Sequence, residues 1–325
     1  MSNLFRLTVF LLIFPFSIVA QRLHPVDVNG ALSVSGNQLV NKAGVPPQLR
    51  GVSLSWSLWA GKKYYNHNVV NWLTTDFHIT LLRASMAVQP DGGYLQNPEE
   101  QTSLMMEVID QSIKNGIYVL IDWHDHNACQ HLEASRNFFK AMAKKYSGVP
   151  NVIYEIFNEP VRVSWSEVKT YSVEVIKTIR TYDKKNVIVV GSPHWDQDVD
   201  SAAADPITGF ENVAYSFHFY ASDPYHQEKL RAKADLALKM GLPLFITEWG
   251  VGESTGDGEF NHDKTAVWME WMERNKLSWV AWNVTDKKET TAMLLKGASA
   301  KGNWKDENLT ESGKYIRERL RQLNH

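Results

Sequence analysis

Apolar segments rich in β-branched residues recur at a steady interval along this chain. Successive segments start 27 to 39 residues apart, and the eight starts are Leu49, Ile79, Tyr118, Asn151, Asn186, Val213, Pro243 and Leu277. That interval holds one strand, one helix and two loops, and near-continuous hydrophobicity is typical of parallel strands that are buried on both faces. The spacing constrains the fold more than any other feature of the sequence.

The stretches between these segments carry helix signals. Residues 98–116, PEEQTSLMMEVIDQSIKNG, begin with a proline and two acids and end at a glycine, and similar helical spacing follows Trp165 and His262. Eight strand–helix units in one chain predict an α/β fold, the (β/α)8 TIM barrel. Before the first strand, residues 31–48 predict a short N-terminal β-hairpin with a turn at Gly36-Asn37, and we expect it to close the bottom of the barrel.

The N-terminus predicts export. Arg6 is followed by the apolar run LTVFLLIFPFSIVA, which ends at Ala20. This pattern indicates a signal peptide over residues 1–20 and a secreted, extracellular protein; a membrane anchor is the weaker alternative because the run is short and contains Pro15. We expect residues 21–325 to form a single (β/α)8 catalytic domain, and no Ser/Pro/Thr-rich linker leads to an appended carbohydrate-binding module.

The composition limits the kinds of partner that this protein is expected to bind. The formal net charge of the 325-residue chain is −2, which provides no electrostatic basis for nucleic-acid binding. Beyond the N-terminal run no apolar stretch is long enough to span a bilayer, and Cys129 is the one cysteine, so no intrachain disulfide forms. We therefore expect a monomer that binds neither nucleic acid nor membrane.

Polar residues stand at the carboxyl ends of the predicted strands, where barrels of this class carry their active sites. They are Arg83, His124, Asn158, Glu159, His218, Tyr220, Glu248 and Trp282. A barrel with a purely structural role would not require so many titratable groups around one opening. Glu159 and Glu248 are 89 residues apart, so three strand–helix units separate them and they face each other across the opening. Two such carboxyl groups can divide the work of acid and nucleophile when their environments separate their pKa values.

Six ordered motifs resemble those of glycoside hydrolase family 5, and among its members the secreted endo-β-1,4-glucanases most closely. The motifs are LLRASM, IDWHDH, IFNEP (Ile156–Pro160), SFHFY, ITEWG (Ile246–Gly250) and AWNVTDKKET. The resemblance covers essentially the whole mature chain. It implies a retaining enzyme that hydrolyses internal β-1,4 bonds of a polysaccharide or oligosaccharide, without metal or cofactor.

The resemblance also assigns roles to residues. Glu159 is implied as acid/base and Glu248 as nucleophile, with Arg83 and Tyr220 holding Glu248, and Asn158 binding the sugar 2-hydroxyl. The residues implied to line the sugar site are His124, His218, Trp282, Lys287 and Glu289. Two further tryptophans that we place in loops are expected to stack on sugar rings, or alternatively to be buried under those loops: Trp59 and Trp195.

Several alternatives remain open on the sequence. Glu159 could be a rim carboxylate paired with Arg83, and His124 and His126 have the alternate spacing of a metal-binding pair, as in barrel amidohydrolases. We interpret His126 and His131 as structural. A catalytically silent carbohydrate-binding barrel is a further reading, and mannan, xylan, lichenan or xyloglucan could replace cellulose as the substrate.

Overall fold

A computed structural model describes residues 23–324. The predicted signal peptide over residues 1–20 lies outside the described residues. Eight parallel strands close into a barrel, in which each strand pairs with the next along the chain and the last pairs with the first. The barrel strands are β3 (Arg50–Leu54), β4 (Leu81–Ala87), β5 (Tyr118–His124), β6 (Val152–Glu155), β7 (Ile188–Val190), β8 (Val213–Tyr220), β9 (Leu244–Gly250) and β10 (Trp279–Val284). The prediction of a (β/α)8 barrel is confirmed.

Helices surround the barrel. They are α1 (Pro25–Asn29), α2 (Trp59–Lys62), α3 (His67–Thr75), α4 (Pro98–Lys114), α5 (Leu132–Tyr146), α6 (Trp165–Tyr182), α7 (Pro193–Asp196), α8 (Val199–Ala204), α9 (Glu228–Lys239), α10 (His262–Arg274) and α11 (Glu311–Leu323), with 3₁₀ turns at Ala128–His131 and Asp306–Asn308. Their starts follow from local sequence: α4 has proline in its first turn, and Ser164 and Glu167 form a capping box at the start of α6. Within residues 23–324, no helix is both long and apolar enough to cross a membrane.

The predicted N-terminal hairpin consists of β1 (Ser33–Ser35) and β2 (Gln38–Val40), joined at Gly36-Asn37. Leu32 and Leu39 belong to one buried cluster with the first inward-facing residues of the barrel strands. The other members of that cluster are Leu49, Leu81, Tyr118, Leu120, Ile153, Val187, Val189, Ala214, Phe245 and Val280. The hairpin therefore closes the bottom of the barrel, as predicted.

The barrel interior changes from apolar to polar along the strands. Successive strand residues alternate between the interior and the helix-covered face, so Leu81 is followed on the inside by Arg83, and Leu120 by Asp122. On β6 the same alternation places Glu155 above Ile153, and Asp122 and Glu155 are direct partners in the β5–β6 register. This buried polar layer supports the open end of the barrel, where the strands end.

Candidate active site

Two carboxyl groups meet at the open end of the barrel. Glu248 lies on β9, and Glu159 lies in the loop after β6. One oxygen of each, together with a ring nitrogen of His218, lie within 4.8 Å of one another. The pairing of β8 with β9 contributes to this closeness, because His218 and Glu248 are partners in the strand register.

Arg83 is the centre of the buried layer beneath these carboxyl groups. Its Nη1 donates to Oε2 of Glu248 at 2.7 Å, and its Nε and Nη2 donate to the two oxygens of Glu155 at 2.7 and 3.3 Å. Nη2 also lies 2.9 Å from Oδ2 of Asp122 and donates to Oδ1 of Asn158 at 2.7 Å. Burial raises the pKa of Asp122 and of Glu155 to about 7 although Arg83 lowers both.

The second oxygen of Glu248 is also held. Oε1 accepts a hydrogen bond from the hydroxyl of Tyr220 at 2.7 Å. Burial and then the negative charge of Glu248 raise the pKa of Tyr220, so the phenol keeps its proton and acts as a donor. With one donor on each oxygen, the Glu248 carboxylate is fixed in orientation, which suits a nucleophile.

Glu159 has a different environment. Its Oε1 lies 3.1 Å from Nδ1 of His218, and its backbone N–H donates to Oδ2 of Asp196 at 2.9 Å. Burial raises the pKa of Glu159 well above its usual range, and the charges of Glu248 and Asp196 raise it further. No arginine or lysine pairs with Glu159 within the described chain. The two carboxyl groups are therefore placed in unequal surroundings, one able to keep a proton and the other held by a cation.

Two buried histidines complete the floor. Burial, and then the charge of Arg83, lower the pKa of both His124 and His218 well below the usual range, so both rings are neutral near pH 7. His218 faces the Thr247 hydroxyl through Nε2 at 2.8 Å. Nδ1 of His124 lies within hydrogen-bond distance of Oδ2 of Asp122, at 2.7 Å, and the His124 ring stacks on Trp282 at a centroid distance of 5.5 Å.

A cleft runs across the two carboxyl groups and consists of two adjoining cavities. The larger, of about 680 Å³, contains Trp195 and Tyr225 in its lining, and the smaller, of about 460 Å³, contains Trp59. Glu159 lines both cavities, whereas Glu248 lines the smaller one. The other residues shared by the two cavities are His126, Tyr220 and Ser254.

Exposed aromatic side chains concentrate in this cleft. Among the described residues, the large aromatic side chains with high exposure are Trp59, Trp195 and Tyr225, at 67%, 43% and 86%. All three line the cleft, although exposed aromatic surface is unfavourable in water. Such rings suit a ligand with flat apolar faces and polar edges.

The structure brings the predicted site residues together. His124, Trp282, Lys287 and Glu289 line the smaller cavity, where Lys287 and Glu289 form an ion pair at 2.6 Å. The remaining predicted residues either line the cleft or lie directly beneath it: Arg83, Asn158, His218, Tyr220, Trp59 and Trp195. Asn158 is fully buried, and its Nδ2 has no hydrogen-bond partner among the described residues.

Some residues of the site were not identified from the sequence. His126, which we interpreted as structural, lines both cavities and lies 3.7 Å from Oε2 of Glu159, so it is placed in the site. It follows the strand and turns toward the cleft instead of packing under it. Asp122 and Glu155 were also missed, although strand alternation with Arg83 was a usable signal. Asp196 ends the four-residue helix α7 and Tyr225 lies in a turn, and the sequence carried no such signal for either residue.

Glu159, His218 and Glu248 are also the one group in residues 23–324 with the spacing of metal ligands. His124 and His126, the pair considered above as metal ligands, do not belong to such a group within that range. Both oxygens of Glu248 already accept hydrogen bonds from Arg83 and Tyr220. This arrangement fits a held carboxylate better than an open metal ligand.

Comparison with known proteins shows that the chain is similar to cellulases. Residues 40–288 match the family model for cellulase, glycosyl hydrolase family 5. The chain is 42% identical to Endoglucanase Z of Dickeya dadantii over 298 residues and 40% identical to Endoglucanase A of Evansella cellulosilytica over 285 residues. These alignments cover 91% and 86% of this chain, and the chain spans 66% and 57% of the two relatives' own lengths.

Solved structures agree with this similarity. A structure from Cytophaga hutchinsonii superposes with a TM-score of 0.90 at 45% identity, covering 93% of this chain and 98% of that one. The catalytic domain of a Thermobifida fusca endoglucanase superposes with a TM-score of 0.86 at 32% identity, covering 92% and 99%. A variant of that domain has been solved in complex with cellotetraose.

Proposed function

The chain belongs to the cellulase family, glycosyl hydrolase family 5, and from that premise we propose that it is an endo-β-1,4-glucanase that acts with retention of configuration. Glu159 is the acid/base and Glu248 the nucleophile. The substrate is a β-1,4-linked glucan chain, and the chemistry uses no metal or cofactor. The observation that carries this proposal is the closeness of Glu159 and Glu248, whose nearest oxygens are less than 4.8 Å apart.

The spacing of the carboxyl groups supports retention. Retaining glycosidases have catalytic carboxyl groups about 5–5.5 Å apart, whereas inverting enzymes need about 6.5–9.5 Å to admit a water between them. In the first step a Glu248 oxygen bonds to the anomeric carbon while Glu159 donates its proton to the departing glycosidic oxygen. In the second step Glu159 takes a proton from water, whose oxygen attacks the anomeric carbon and releases Glu248.

The surroundings of each carboxyl group suit its role. Arg83 and Tyr220 each donate to one oxygen of Glu248, whereas burial and the charges of Glu248 and Asp196 raise the pKa of Glu159 and so favour its protonated form. Nδ1 of His218 lies 3.1 Å from Oε1 of Glu159, and this contact holds the acid in place. The free Nδ2 of Asn158 is a donor for the sugar 2-hydroxyl, a contact that strengthens toward the transition state.

The cleft supports internal cleavage. Since Glu248 lines the smaller cavity and Glu159 lines both, the sugar that becomes covalently bound occupies the smaller cavity and the leaving part of the chain occupies the larger one. Aromatic rings stand in both, Trp59 in one and Trp195 in the other. A polymer can therefore bind on both sides of the scissile bond, which is what an endo-acting enzyme requires.

We further propose that residues 1–20 direct export and that residues 21–325 act outside the cell as a monomeric catalytic domain. The apolar N-terminal run supports this proposal. N-terminal sequencing of the enzyme from culture medium would find a start just after Ala20. An intact N-terminus on cell-associated protein would contradict it.

The mechanism is tested with Glu159→Gln and Glu248→Gln, with Glu270→Gln on the exposed face of α10 as the matched control. Reducing-sugar release and viscosity are followed on cellulose derivatives, mixed-linkage glucan, mannan, xylan and xyloglucan. We expect both active-site variants to lose at least 10³-fold in kcat/KM on glucan, about 4 kcal/mol of transition-state stabilisation, while the control retains full activity. Full turnover in either active-site variant would refute the mechanism, and preference for another polymer would correct the substrate.

Azide distinguishes the two roles. In Glu248→Ala the small anion can occupy the space of the missing carboxylate and attack the anomeric carbon, giving a glycosyl azide of inverted configuration. In Glu159→Ala azide instead attacks the covalent intermediate and gives the azide of retained configuration. Products of the opposite configurations would exchange the two assignments.

A further inference from the structure

Asp196 is a fully buried carboxylate beside the acid/base glutamate. It lies at the end of α7, its Oδ1 accepts the N–H of Ser192 at 2.6 Å, and its Oδ2 accepts the N–H of Glu159 at 2.9 Å. Its ion-pair partner within the described chain is His218, whose Nδ1 lies 3.6 Å away. His218 is neutral because of burial and the charge of Arg83, which lower its pKa. A buried carboxylate without a cationic partner is costly and calls for a function.

The hydrogen bond from Glu159 to Asp196 joins two unusual pieces of backbone. Glu159 has a φ of +51°, and Asp196 has a φ of +60° after two further residues in the left-handed region, His194 and Trp195. Residues other than glycine adopt this conformation only when surrounding contacts impose it. At Glu159, one of these contacts is the hydrogen bond from its backbone N–H to the carboxylate of Asp196.

The carboxylate of Asp196 is tightly packed against neighbouring backbone. Gly191 lies against it, and a Cβ at that position would come within 2.9 Å of Asp196 Oδ1 and 2.4 Å of the carbonyl oxygen of Phe157. The chain therefore approaches Asp196 more closely than any residue with a side chain would permit. This packing fixes the position of the carboxylate relative to Glu159.

We propose that Asp196 is a positioning residue for Glu159, which fixes the main chain of the acid/base through one hydrogen bond and places a second carboxylate beside its carboxyl group. This inference rests on the proposed function of Glu159. The segment after β7 therefore helps to set the pH range in which the enzyme is active.

The charge of Asp196 acts among several others that face Glu159. They come from β4, β5 and the loop after it, β8 and β9, and they are Arg83, Asp122, His126, His218, Tyr220 and Glu248. Burial raises the pKa of Glu159 most, followed by the charges of Glu248 and then Asp196, whereas Arg83 lowers it. Burial raises the pKa of Asp196 well above its usual range, and the hydrogen bonds from the backbone N–H groups of Ser192 and Glu159 oppose that rise because they stabilise the ionised form.

The charge of Asp196 determines the direction in which the pH profile should move. A negative charge beside Glu159 favours its protonated form, and the first step of the reaction needs that form. Removing the charge lowers the pKa of Glu159, so the alkaline limb of the kcat/KM profile moves to lower pH. A like charge at this range accounts for a shift on the order of one pH unit.

The experiment measures kcat/KM against pH on soluble glucan for wild type, Asp196→Asn and Asp196→Ser. Both substitutions remove the charge; the asparagine variant keeps a side-chain oxygen that can accept a backbone N–H, and the serine variant is small enough to fit the same space. We expect the alkaline limb to move by on the order of one pH unit toward acid in both variants. Asp198→Asn is the control, because Asp198 lies two residues further on and pairs with Lys233, and its profile should match wild type.

The outcomes separate the two proposals. If Glu159→Gln retains activity on glucan, the proposed function fails. If Glu159→Gln is inactive but both folded Asp196 variants keep the wild-type alkaline limb, the positioning role alone fails. Circular dichroism shows whether the two Asp196 variants are folded. If both are unfolded, the positioning role also fails, because Asp196 would then be a residue that only maintains the fold.

Discussion

Nη1 of Arg83 lies 2.7 Å from Oε2 of Glu248, and the two side chains are 0% and 4% exposed. The same guanidinium pairs with Glu155 at 2.7 Å and with Asp122 at 2.9 Å. One buried cation therefore serves three carboxyl groups, two of them in the layer below the cleft. The orientation of Glu248 and the stability of the barrel interior depend on the same side chain.

Replacing Arg83 by lysine should harm both properties. A single ammonium cannot reproduce the forked contacts to Glu155 and Glu248, and it leaves buried charge uncompensated. We expect a loss of about 3–5 kcal/mol in the free energy of unfolding, measured with urea, and a large fall in kcat/KM. Arg136→Lys, at an exposed arginine paired with Glu133, should stay within about 0.5 kcal/mol of wild type. Equal unfolding midpoints for the Arg83 variant and wild type would contradict this account.

Tyr220→Phe should weaken catalysis without disturbing the fold. The substitution removes the 2.7 Å hydrogen bond to Oε1 of Glu248 and little else. A hydrogen bond to a charged group contributes about 1.5–3 kcal/mol, so we expect kcat/KM to fall by about ten- to 100-fold with an unchanged melting temperature. Tyr315→Phe, on α11 away from the cleft, is the control. An unaffected kcat/KM would show that Arg83 alone positions the carboxylate.

The pH profile should depend on the leaving group. Because burial raises the pKa of Glu159, the proposed acid keeps its proton to higher pH than an exposed glutamate does, and activity on glucan should be lost as the pH rises through that pKa. A dinitrophenyl cellobioside departs without protonation, so its kcat/KM should lack this alkaline limb. Steady-state kinetics on both substrates over the same buffers provide the comparison. The same alkaline limb with both would mean that another group titrates.

Tyr225 should contribute to binding of the leaving part of the chain. It is 86% exposed and lines the larger cavity together with Trp195. Stacking on one sugar ring is worth about 0.5–1.5 kcal/mol, so Tyr225→Ala should raise KM for cellopentaose roughly two- to tenfold. KM for β-cellobiosyl fluoride, whose leaving group has no ring to stack on Tyr225, should not change. Tyr182→Ala, on α6 outside the cleft, serves as control, and equal effects on long and short substrates would argue against a role in this cavity.

Chelation should leave the activity intact. Glu159, His218 and Glu248 are close enough to hold an ion, but the Glu248 oxygens are already occupied by Arg83 and Tyr220. After dialysis against EDTA we expect the wild-type rate on glucan. A loss that zinc or manganese restores would replace the carboxylate pair with a metal-assisted mechanism.

The local sequence determined the architecture of this protein. Eight apolar segments at a regular spacing encode eight strands, and proline, acids and glycine at their proper positions encode the helices between them. Because parallel strands of a barrel all end at one face, strand-end residues such as Glu159 and Glu248 had to meet there. That these two carboxyl groups face one opening was therefore predictable from the sequence.

Tertiary structure alone decided how unlike the two carboxyl groups are. Proton affinity depends on burial and on charges within a few ångströms, and those charges come from strands and loops far apart in the chain. Three features of the site arise because these strands and loops come together in the folded barrel. They are the contacts of Arg83 with several carboxyl groups, the position of His126 beside Glu159, and the hydrogen bond between Asp196 and the Glu159 backbone. Residue type and spacing encode which strand carries a group, but the distances between groups on different strands exist only once the barrel has closed.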